Sequence, residues 1–273
     1  MPEFAGETIL RFEDVTLHYD ETPALEHVSF EVRKGETRIV MGAAGSGKTT
    51  LLKAAIGLVR PDSGRIWLFG QEINRLGEQE LVDLRARVGM LFQEGGLFDS
   101  LTIEENVAYP LLYQRGRRPK PEDVRERVVE ALTFVELEHT LDKFPSELSG
   151  GMRRRVGIAR ANVTNPPLVL YDSPTAGLDP ITANTIVALI MKERDVNRTT
   201  SIVVTQRYQD GQMLANYYYD IGSGTIRAAP PAGSGNGSRT VFMVMREGRL
   251  VFEGFQKELE ASTDPYLSKF VRR

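Results

Sequence analysis

The chain has 273 residues, with 34 Lys and Arg against 37 Asp and Glu, and it contains no Cys. This length allows one large α/β domain with an inserted subdomain, and the near balance of charge gives no global indication of a nucleic-acid partner. The absence of Cys excludes disulfides, thiolate metal sites and a Cys nucleophile. Because the first residues are acidic and no stretch approaches the roughly 20 apolar residues of a membrane span, we expect neither export nor direct membrane insertion.

The first third of the chain predicts a β layer followed by a strand, a glycine loop and a helix. Short alternating runs from Ile9 to Val32 are typical of half-exposed antiparallel strands. The apolar run TRIVMG then enters a glycine-rich turn, and KTTLLKAAIGLV continues at helical spacing. The stretch PDSGRIWLFG predicts a turn and one more strand.

The remainder predicts a helical block enclosed by an α/β frame. Helical patterns run from about Thr102 to Val163, and the frame resumes with the strand PLVLYD, the helix PITANTIVALIMKERD and the strand SIVVTQ. The paired strands RTVFMVMREGRLVFEG have a plausible hairpin turn at Glu247–Gly248. We interpret residues 115–120 (RGRRPK) as a solvated loop and residues 228–238, rich in Ala, Pro, Gly and Ser, as a mobile loop.

The sequence GAAGSGKT, Gly42–Thr49, matches the phosphate-loop pattern G-x-x-x-x-G-K-[ST] and stands between a buried strand and a helix, as that motif requires. Its glycines let the backbone approach phosphates, Lys48 reaches the β- and γ-phosphate oxygens, and Thr49 ligates Mg²⁺. The residues expected to bind the nucleotide here are Gly42, Ala43, Ala44, Gly45, Ser46, Gly47, Lys48, Thr49 and Thr50.

Two further motifs extend this site. Asp172 ends the apolar run LVLYD and is the expected second Mg²⁺ contact, although a lone strand-end Asp is more often a cap or turn residue. LSGGM offers Ser149, Gly150 and Gly151 as a hydroxyl and two backbone donors at a helix start. Because Lys48 already serves one nucleotide, this second set suggests a head-to-tail dimer with ATP between the chains. On spacing alone, an ordinary Ser-capped helix is the simpler interpretation.

The ordered set GAAGSGKT, Gln93 in LFQEGGLF, LSGGM and LVLYD resembles the ATPase subunit of an ABC transporter over nearly the whole chain. The resemblance implies a P-loop NTPase (RecA-like) core with an N-terminal antiparallel β layer and an inserted helical subdomain. Tyr19 would stack on adenine, Gln93 would contact Mg²⁺ and signal to the permease, and Asp179 would lie at the dimer interface. Tyr19 as a surface aromatic and Gln93 as a plain loop residue remain open alternatives.

The same resemblance implies a domain plan and partners. A single ABC ATPase domain would comprise residues 1–92 and 166–255 as the core with its β layer, residues 93–165 as the helical subdomain and residues 256–273 as a C-terminal tail. Its ligands would be ATP and Mg²⁺. It would form a homodimer, or a heterodimer with another ABC ATPase, on an integral membrane permease. It would thus be cytoplasmic and peripheral on the inner membrane.

Two stretches, QEGGLFDSLTIEENVAYPL and ASTDPYLSKFV, are similar to the Mla/Mce-type subfamily, which implies transport of phospholipid or another hydrophobic substrate. Related lipoprotein-release and cell-division ATPases share most of the other motifs. A soluble ABC clamp acting on nucleic acid or ribosomes is a second class with the same nucleotide site. Against it stand one nucleotide-binding domain per chain and the lack of a basic face, so we expect no nucleic-acid partner.

The chain departs from the family pattern at two catalytic positions. Ser173 stands where the family has the glutamate that polarises the attacking water, and Gln206 stands where it has a histidine that contacts the γ-phosphate. Loss of a positioned general base lowers the rate by about 10²- to 10⁴-fold, so we expect normal Mg-ATP binding and slow hydrolysis. Two alternatives remain: Asp210 or Glu94 substitutes for the missing acid, or the chain is a pseudo-ATPase partner of a catalytic subunit.

Overall fold

The computed structural model describes residues 6–113, 119–229 and 240–271. Most of the predicted RGRRPK loop and nearly all of the loop predicted at 228–238 lie outside these residues. None of the helices in the described ranges has the length and apolar character needed to cross a bilayer.

The described residues form twelve strands in three sheets. The strands are β1 Thr8–Tyr19, β2 Thr22–Arg33, β3 Thr37–Gly42, β4 Ser63–Leu68, β5 Gln71–Glu72, β6 Val88–Leu91, β7 Leu168–Asp172, β8 Thr200–Val204, β9 Tyr217–Asp220, β10 Thr225–Ala228, β11 Thr240–Arg246 and β12 Arg249–Gly254. A six-stranded sheet has the order β12-β11-β3-β8-β7-β6, and a four-stranded sheet has the order β2-β1-β4-β5. The strands β9 and β10 form a separate hairpin that the sequence patterns did not predict.

The same residues form nine α-helices, and short polar motifs fix several of their starts. The helices are α1 Lys48–Ala55, α2 Glu78–Arg85, α3 Ile103–Leu112, α4 Pro121–Phe134, α5 Gly150–Asn162, α6 Pro180–Asn197, α7 Tyr208–Asn216, α8 Gln256–Glu260 and α9 Pro265–Val271. Thr102 and Glu105 form a reciprocal capping box at the start of α3, in which each side chain accepts a hydrogen bond from the other residue's backbone N–H. The helices α3, α4 and α5 lie between β6 and β7, where the sequence predicted the helical block.

The predicted β layer and the predicted final hairpin are both present. The long strands β1 and β2 pair antiparallel, as the alternation from Ile9 to Val32 indicated. The strands β11 and β12 turn at Glu247 and Gly248, whose φ angles are 51° and 79°. Positive φ at both central residues is the geometry of a two-residue hairpin turn.

The large sheet is buried on both faces. Every residue of β3, β7 and β8 is buried, because parallel strands covered on both sides have no polar face. Ile39 and Met41 pack with the apolar sides of α3 to α7, whereas Val40 packs with α1 and the antiparallel sheet. The alternation along one strand thus divides the core into two apolar clusters.

Parallel pairing places the ends of three strands at one edge of this sheet. Val40 of β3 pairs with Val204 of β8, and Asp172 of β7 pairs with the same Val204. The carboxyl ends of β3, β8 and β7 are therefore neighbours in that order. Ligands of open α/β sheets bind outside such ends, and each of the three is followed by a loop that carries a candidate site residue.

Residues 98–102, in the loop after Gln93, are held by the buried side chain of Asn106 of α3. Its Oδ1 accepts a hydrogen bond from Phe98 N at 2.8 Å, and its Nδ2 lies 3.0 Å from Phe98 O, 3.1 Å from Leu101 O and 2.9 Å from Thr102 O. The side chain is fully buried, so no water can replace it.

We predict that Asn106→Ala lowers the free energy of unfolding by about 1 to 3 kcal/mol, because it leaves buried backbone groups of residues 98–102 without partners. Urea denaturation followed by circular dichroism measures this change. Asn184→Ala, the same substitution at an exposed position of α6, is the control and should change it by less than about 0.5 kcal/mol. Equal effects of the two substitutions would contradict the prediction.

Candidate nucleotide-binding site

The loop between β3 and α1 passes too close to other backbone for any side chain at two of its glycines. A Cβ at Gly42 would lie 2.5 Å from the carbonyl oxygen of Met245, and a Cβ at Gly47 would lie 2.2 Å from that of Ala24. Gly47 also has φ 97°, which an L side chain rarely adopts. The glycine positions of the motif are therefore set by contacts with β11 and β2, which the sequence does not reveal.

Lys48, the first residue of α1, is folded against its own loop. Its Nζ donates to Gly42 O at 3.0 Å, to Ala43 O at 2.6 Å and to Ser46 Oγ at 3.1 Å. The residue is only 7% exposed. Burial lowers the pKa of Lys48, and the nearby carboxylate of Asp172 opposes that shift. The ammonium is thus held at the centre of the loop, where an anion would offset its burial.

Asp172 and Ser173 follow one another at the end of β7. Asp172 is 4% exposed, and Ser173 Oγ donates a hydrogen bond to Asp172 Oδ1 at 3.1 Å. Ser173 has a positive φ of 52°, and its backbone N–H donates to Val204 O at 2.9 Å. The serine hydroxyl therefore faces the carboxylate that the sequence assigns to Mg²⁺.

These elements surround a cavity of about 650 Å³. The predicted site residues that line it are Tyr19, Ala44, Gly45, Ser46, Gly47, Lys48, Thr49, Thr50, Gln93, Ser173 and Gln206. Gly42 and Ala43 form the base of the loop beneath Lys48, and Asp172 lies behind Ser173. The cavity also includes Thr175, Thr205 and Arg207, which the sequence analysis did not single out.

The LSGGM residues and Asp179 lie outside this cavity. Ser149 Oγ accepts from Met152 N at 3.2 Å, and Asp179 Oδ1 accepts from the backbone N–H groups of Ile181 and Thr182 at 3.0 Å each. A Cβ at Gly151 would lie 2.5 Å from Thr182 Cγ2, so the capped starts of α5 and α6 are in contact. Ser149, Gly150, Gly151 and Asp179 thus form a second polar surface, apart from this chain's own phosphate loop.

Arg154 of α5 connects that second surface to the end of β7. Its guanidinium donates to the carbonyl oxygens of Ser173 at 2.8 Å, Pro174 at 3.1 Å and Ala176 at 3.0 Å. The residue is 4% exposed. The turn after Asp172 is consequently attached to the helix that begins with LSGGM.

Neither of the two acids considered as substitutes for the missing glutamate lines the cavity. Asp210 of α7 is 1% exposed, and its Oδ2 accepts from Thr175 Oγ1 at 2.5 Å and from Thr205 Oγ1 at 2.7 Å. Burial raises the Asp210 pKa, against the effect of these two hydrogen bonds. Glu94 lies in the adjoining groove on the Arg154 side. Both acids are near the site, yet neither reaches the cavity surface.

The oxygen donors at the site suit a hard divalent cation. No group of three or more His, Asp or Glu side chains within the described residues could hold a metal by itself. Thr49, Gln93 and Asp172 offer one hydroxyl, one amide oxygen and one carboxylate. Mg²⁺ prefers such a set, because it usually keeps several waters and takes further oxygens from a substrate phosphate.

A contact that the motifs did not predict joins the C-terminal helix α9 to the phosphate loop. The hydroxyl of Tyr266 donates to Met245 O at 2.9 Å and accepts from Ala43 N at 3.3 Å. The ring packs edge-on against Phe270. Tyr266 belongs to the stretch ASTDPYLSKFV, but sequence separation of more than 200 residues gave no indication of its partner.

We predict that Tyr266→Phe destabilises the protein by roughly 1 kcal/mol and weakens nucleotide binding a few-fold. The backbone N–H of Ala43 loses the hydroxyl oxygen that accepts its hydrogen bond, while the packing of the ring on Phe270 remains. Thermal unfolding and equilibrium binding of Mg-ATP measure the two effects. Tyr113→Phe, at an exposed tyrosine of the helical block, is the matched control. A Tyr266→Phe protein that matches this control in both measurements would show that the hydroxyl bridge is inconsequential.

Comparison with known proteins gives consistent matches. The methionine import ATP-binding protein MetN of Mesorhizobium japonicum is 40% identical over 233 residues, which cover 84% of this chain and 62% of that protein. The intermembrane phospholipid transport system ATP-binding protein MlaF of Haemophilus influenzae is 37% identical over 217 residues, which cover 79% of this chain and 81% of that protein. The chain thus spans about three fifths of the length of this MetN relative.

Solved structures and a family description agree with these matches. A dimeric ATP-binding cassette, MJ0796, bound to ADP and Pi superposes with a TM-score of 0.72 at 30% identity, over 89% of this chain and 97% of that one. This likeness confirms the predicted α/β P-loop fold with its β layer and helical subdomain. The family described as ABC transporter matches residues 25–176, more than half of the chain. The chain therefore belongs to the ABC transporter family of ATP-binding proteins.

Proposed function

We propose that this chain is an ABC transporter subunit that binds Mg-ATP at a head-to-tail dimer interface and thereby drives a membrane permease. The observation that carries the proposal is the cavity in which the phosphate loop meets the ends of β7 and β8. Lys48, Ser173 and Gln206 line one space of about 650 Å³, which is within the usual size of a small-molecule site.

Each part of the nucleotide has a candidate contact in this chain. Lys48 and the loop backbone would bind the phosphates, and Tyr19, 47% exposed at the end of β1, would stack on the adenine. Thr49, Gln93 and Asp172 would hold Mg²⁺, which neutralises charge on the β- and γ-phosphates.

A second subunit would complete the site. The start of α5, with Ser149 as its cap, presents the backbone N–H groups of Gly150 and Gly151 away from this chain's own phosphate loop, and the Asp179-capped start of α6 lies against it. A nucleotide held by the loop of another subunit would occupy that surface. The dimeric cassette bound to ADP and Pi supports this arrangement. The partner is a second copy of this chain or a different ABC ATPase.

A groove beside the helical block is the candidate docking site for the permease. It has a volume of about 550 Å³ and is lined in part by the exposed aromatic residues Phe92, Phe98, Tyr109 and Tyr113. Arg160, which also lines the groove, donates hydrogen bonds to the carbonyl oxygens of Gly95 and Gly96. This contact joins the groove to the loop that begins at Gln93. Docking would make the chain peripheral on the cytoplasmic side of the inner membrane.

We infer a lipid or another organic solute as the transported substrate. The phospholipid transport relative MlaF is matched over 81% of its length, whereas the methionine import relative MetN is matched over 62%. A protein named trigalactosyldiacylglycerol 3, from Arabidopsis thaliana, is 34% identical over 97% of this chain and 74% of its own. The coverages of MlaF and MetN favour the phospholipid-transport relative MlaF.

Hydrolysis should be slow in this subunit. Ser173 already donates its hydroxyl hydrogen to Asp172, and neither Ser173 nor Gln206 is a base at neutral pH. The alternative is a pseudo-ATPase that contributes its LSGGM surface to a catalytic partner subunit. A complete absence of ATP turnover by the unmodified protein would support only the pseudo-ATPase.

We predict that Lys48→Ala weakens Mg-ATP binding by roughly 10- to 100-fold, because the charged hydrogen bonds to phosphate are lost. Equilibrium titration with the purified full chain measures the affinity. Lys53→Ala, which removes a half-exposed lysine from the same helix, should leave it unchanged. The proposed function fails if the unmodified chain does not bind Mg-ATP, or if the two variants bind it equally.

We predict that Ser173→Glu raises steady-state ATP turnover by about 100-fold or more, because it supplies a general base next to the metal-site carboxylate. Phosphate release under saturating Mg-ATP measures the rate. Ser173→Gln has the same length without a base and should give no such gain. Equal rates for the Glu and Gln variants would mean that the missing carboxylate does not limit hydrolysis.

A further inference from the structure

The described residues that line the nucleotide cavity include two cations, Lys48 and Arg207, and no carboxylate. Asp172 lies behind this surface and is 4% exposed. The cavity therefore presents a net positive wall to its ligand. Lys48 has three hydrogen bonds within its own loop, whereas Arg207 belongs to none of the predicted motifs.

Arg207 is held at its backbone, and its guanidinium is paired loosely with one carboxylate. It lies just before α7, and its backbone N–H donates to Thr205 Oγ1 at 3.0 Å. Its Nε lies 3.5 Å from Asp210 Oδ1, which is an ion pair but too long for a normal hydrogen bond. Within the ranges that the structure describes, no hydrogen bond to the guanidinium is found, and the side chain is 31% exposed.

Asp210 is the buried carboxylate that forms the ion pair with Arg207. Its Oδ2 is occupied by Thr175 and Thr205, while its Oδ1 is buried and has no hydrogen bond within the described residues. A buried carboxylate oxygen without a hydrogen bond favours a nearby cation. Thr175 and Thr205 both line the cavity, so the Asp210 carboxylate that they bind lies directly beneath the cavity wall. From there it pairs with the guanidinium of Arg207.

We propose that Arg207 binds the terminal phosphate of ATP and makes the site selective for ATP over ADP. The inference rests on the proposed function and identifies a specificity residue within it. Arg207 directly follows Gln206, whose neutral amide stands where a γ-phosphate contact is expected. ATP has one more phosphoryl group and one more negative charge than ADP, and a guanidinium matches phosphate oxygens with two parallel donors.

Within the described residues, the ion pair with Asp210 leaves the hydrogen-bond donors of the Arg207 guanidinium unused. The 3.5 Å separation from Asp210 leaves the guanidinium without a strong local hydrogen bond, so contact with a phosphate breaks none within the described residues. The binding of a γ-phosphate by Arg207 requires no base. It stabilises the ATP-bound state even where Ser173 cannot promote hydrolysis.

The test compares ATP and ADP affinities of Arg207→Gln, Arg207→Lys and the unmodified chain, with Mg²⁺, by competition against a fluorescent nucleotide. The protein is kept at concentrations at which sedimentation shows only monomers, which excludes an effect of dimerisation on the affinities. Short incubations limit hydrolysis of ATP. We expect Arg207→Gln to weaken ATP binding about tenfold and ADP binding less than twofold. Arg207→Lys, which keeps a point charge, should recover part of the ATP affinity.

Arg227→Gln is the matched control, because Arg227 forms an ion pair with Asp220 in the β9–β10 hairpin, with Nε 3.1 Å from Oδ2, and lies outside the cavity. It should change neither affinity. Equal weakening of ATP and ADP by Arg207→Gln, no weakening of either, or an ATP effect seen only with dimers would each overturn the inference. If the unmodified chain binds neither nucleotide, the proposed function itself fails, so the two failures are distinguishable.

Discussion

The close passage of the phosphate loop over neighbouring backbone is the constraint on which the rest of the site depends. The backbone at Gly42 and Gly47 runs against the carbonyl groups of Met245 and Ala24, so neither position can carry a side chain. This approach draws the loop tightly around the ammonium of Lys48. The loop is therefore positioned jointly by β11 of the large sheet and by β2 of the antiparallel layer, so the β layer helps to shape the cavity through backbone contact.

The register of the parallel strands then determines which residues meet that loop. Because Asp172 and Val40 both pair with Val204, backbone pairing brings the carboxylate of β7 next to the loops after β3 and β8. The network of Asp210 with Thr175 and Thr205 connects the segments after β7 and β8 beneath the cavity.

The parts of the site that the sequence could predict are those encoded in contiguous residues. Gly42–Thr49, Asp172 and the capped start of α5 follow from local patterns, and the structure places Ala44–Thr49 at the cavity wall, with Asp172 next to the lining residue Ser173. The parts it could not predict depend on distant pairings, such as Tyr266 with Ala43 and Arg207 with the cavity wall. The hairpin of β9 and β10 was missed for another reason. Its residues are mostly exposed, so no apolar periodicity marks them as strands.

The turn at Ser173 is held by contacts of its backbone, whereas the chemistry at this position depends on the side chain. The positive φ of Ser173, its backbone bond to Val204 and the three carbonyl bonds from Arg154 all involve the backbone, so they hold the turn whatever side chain it carries. Arg154 also belongs to the helix that begins with LSGGM, which is the surface proposed to meet the partner's nucleotide. Under the proposed function, closure of a dimer around ATP would reach the turn after Asp172 through the buried side chain of Arg154, a connection that does not use a glutamate. Under the proposed function, nucleotide binding would therefore move the permease even where hydrolysis is slow.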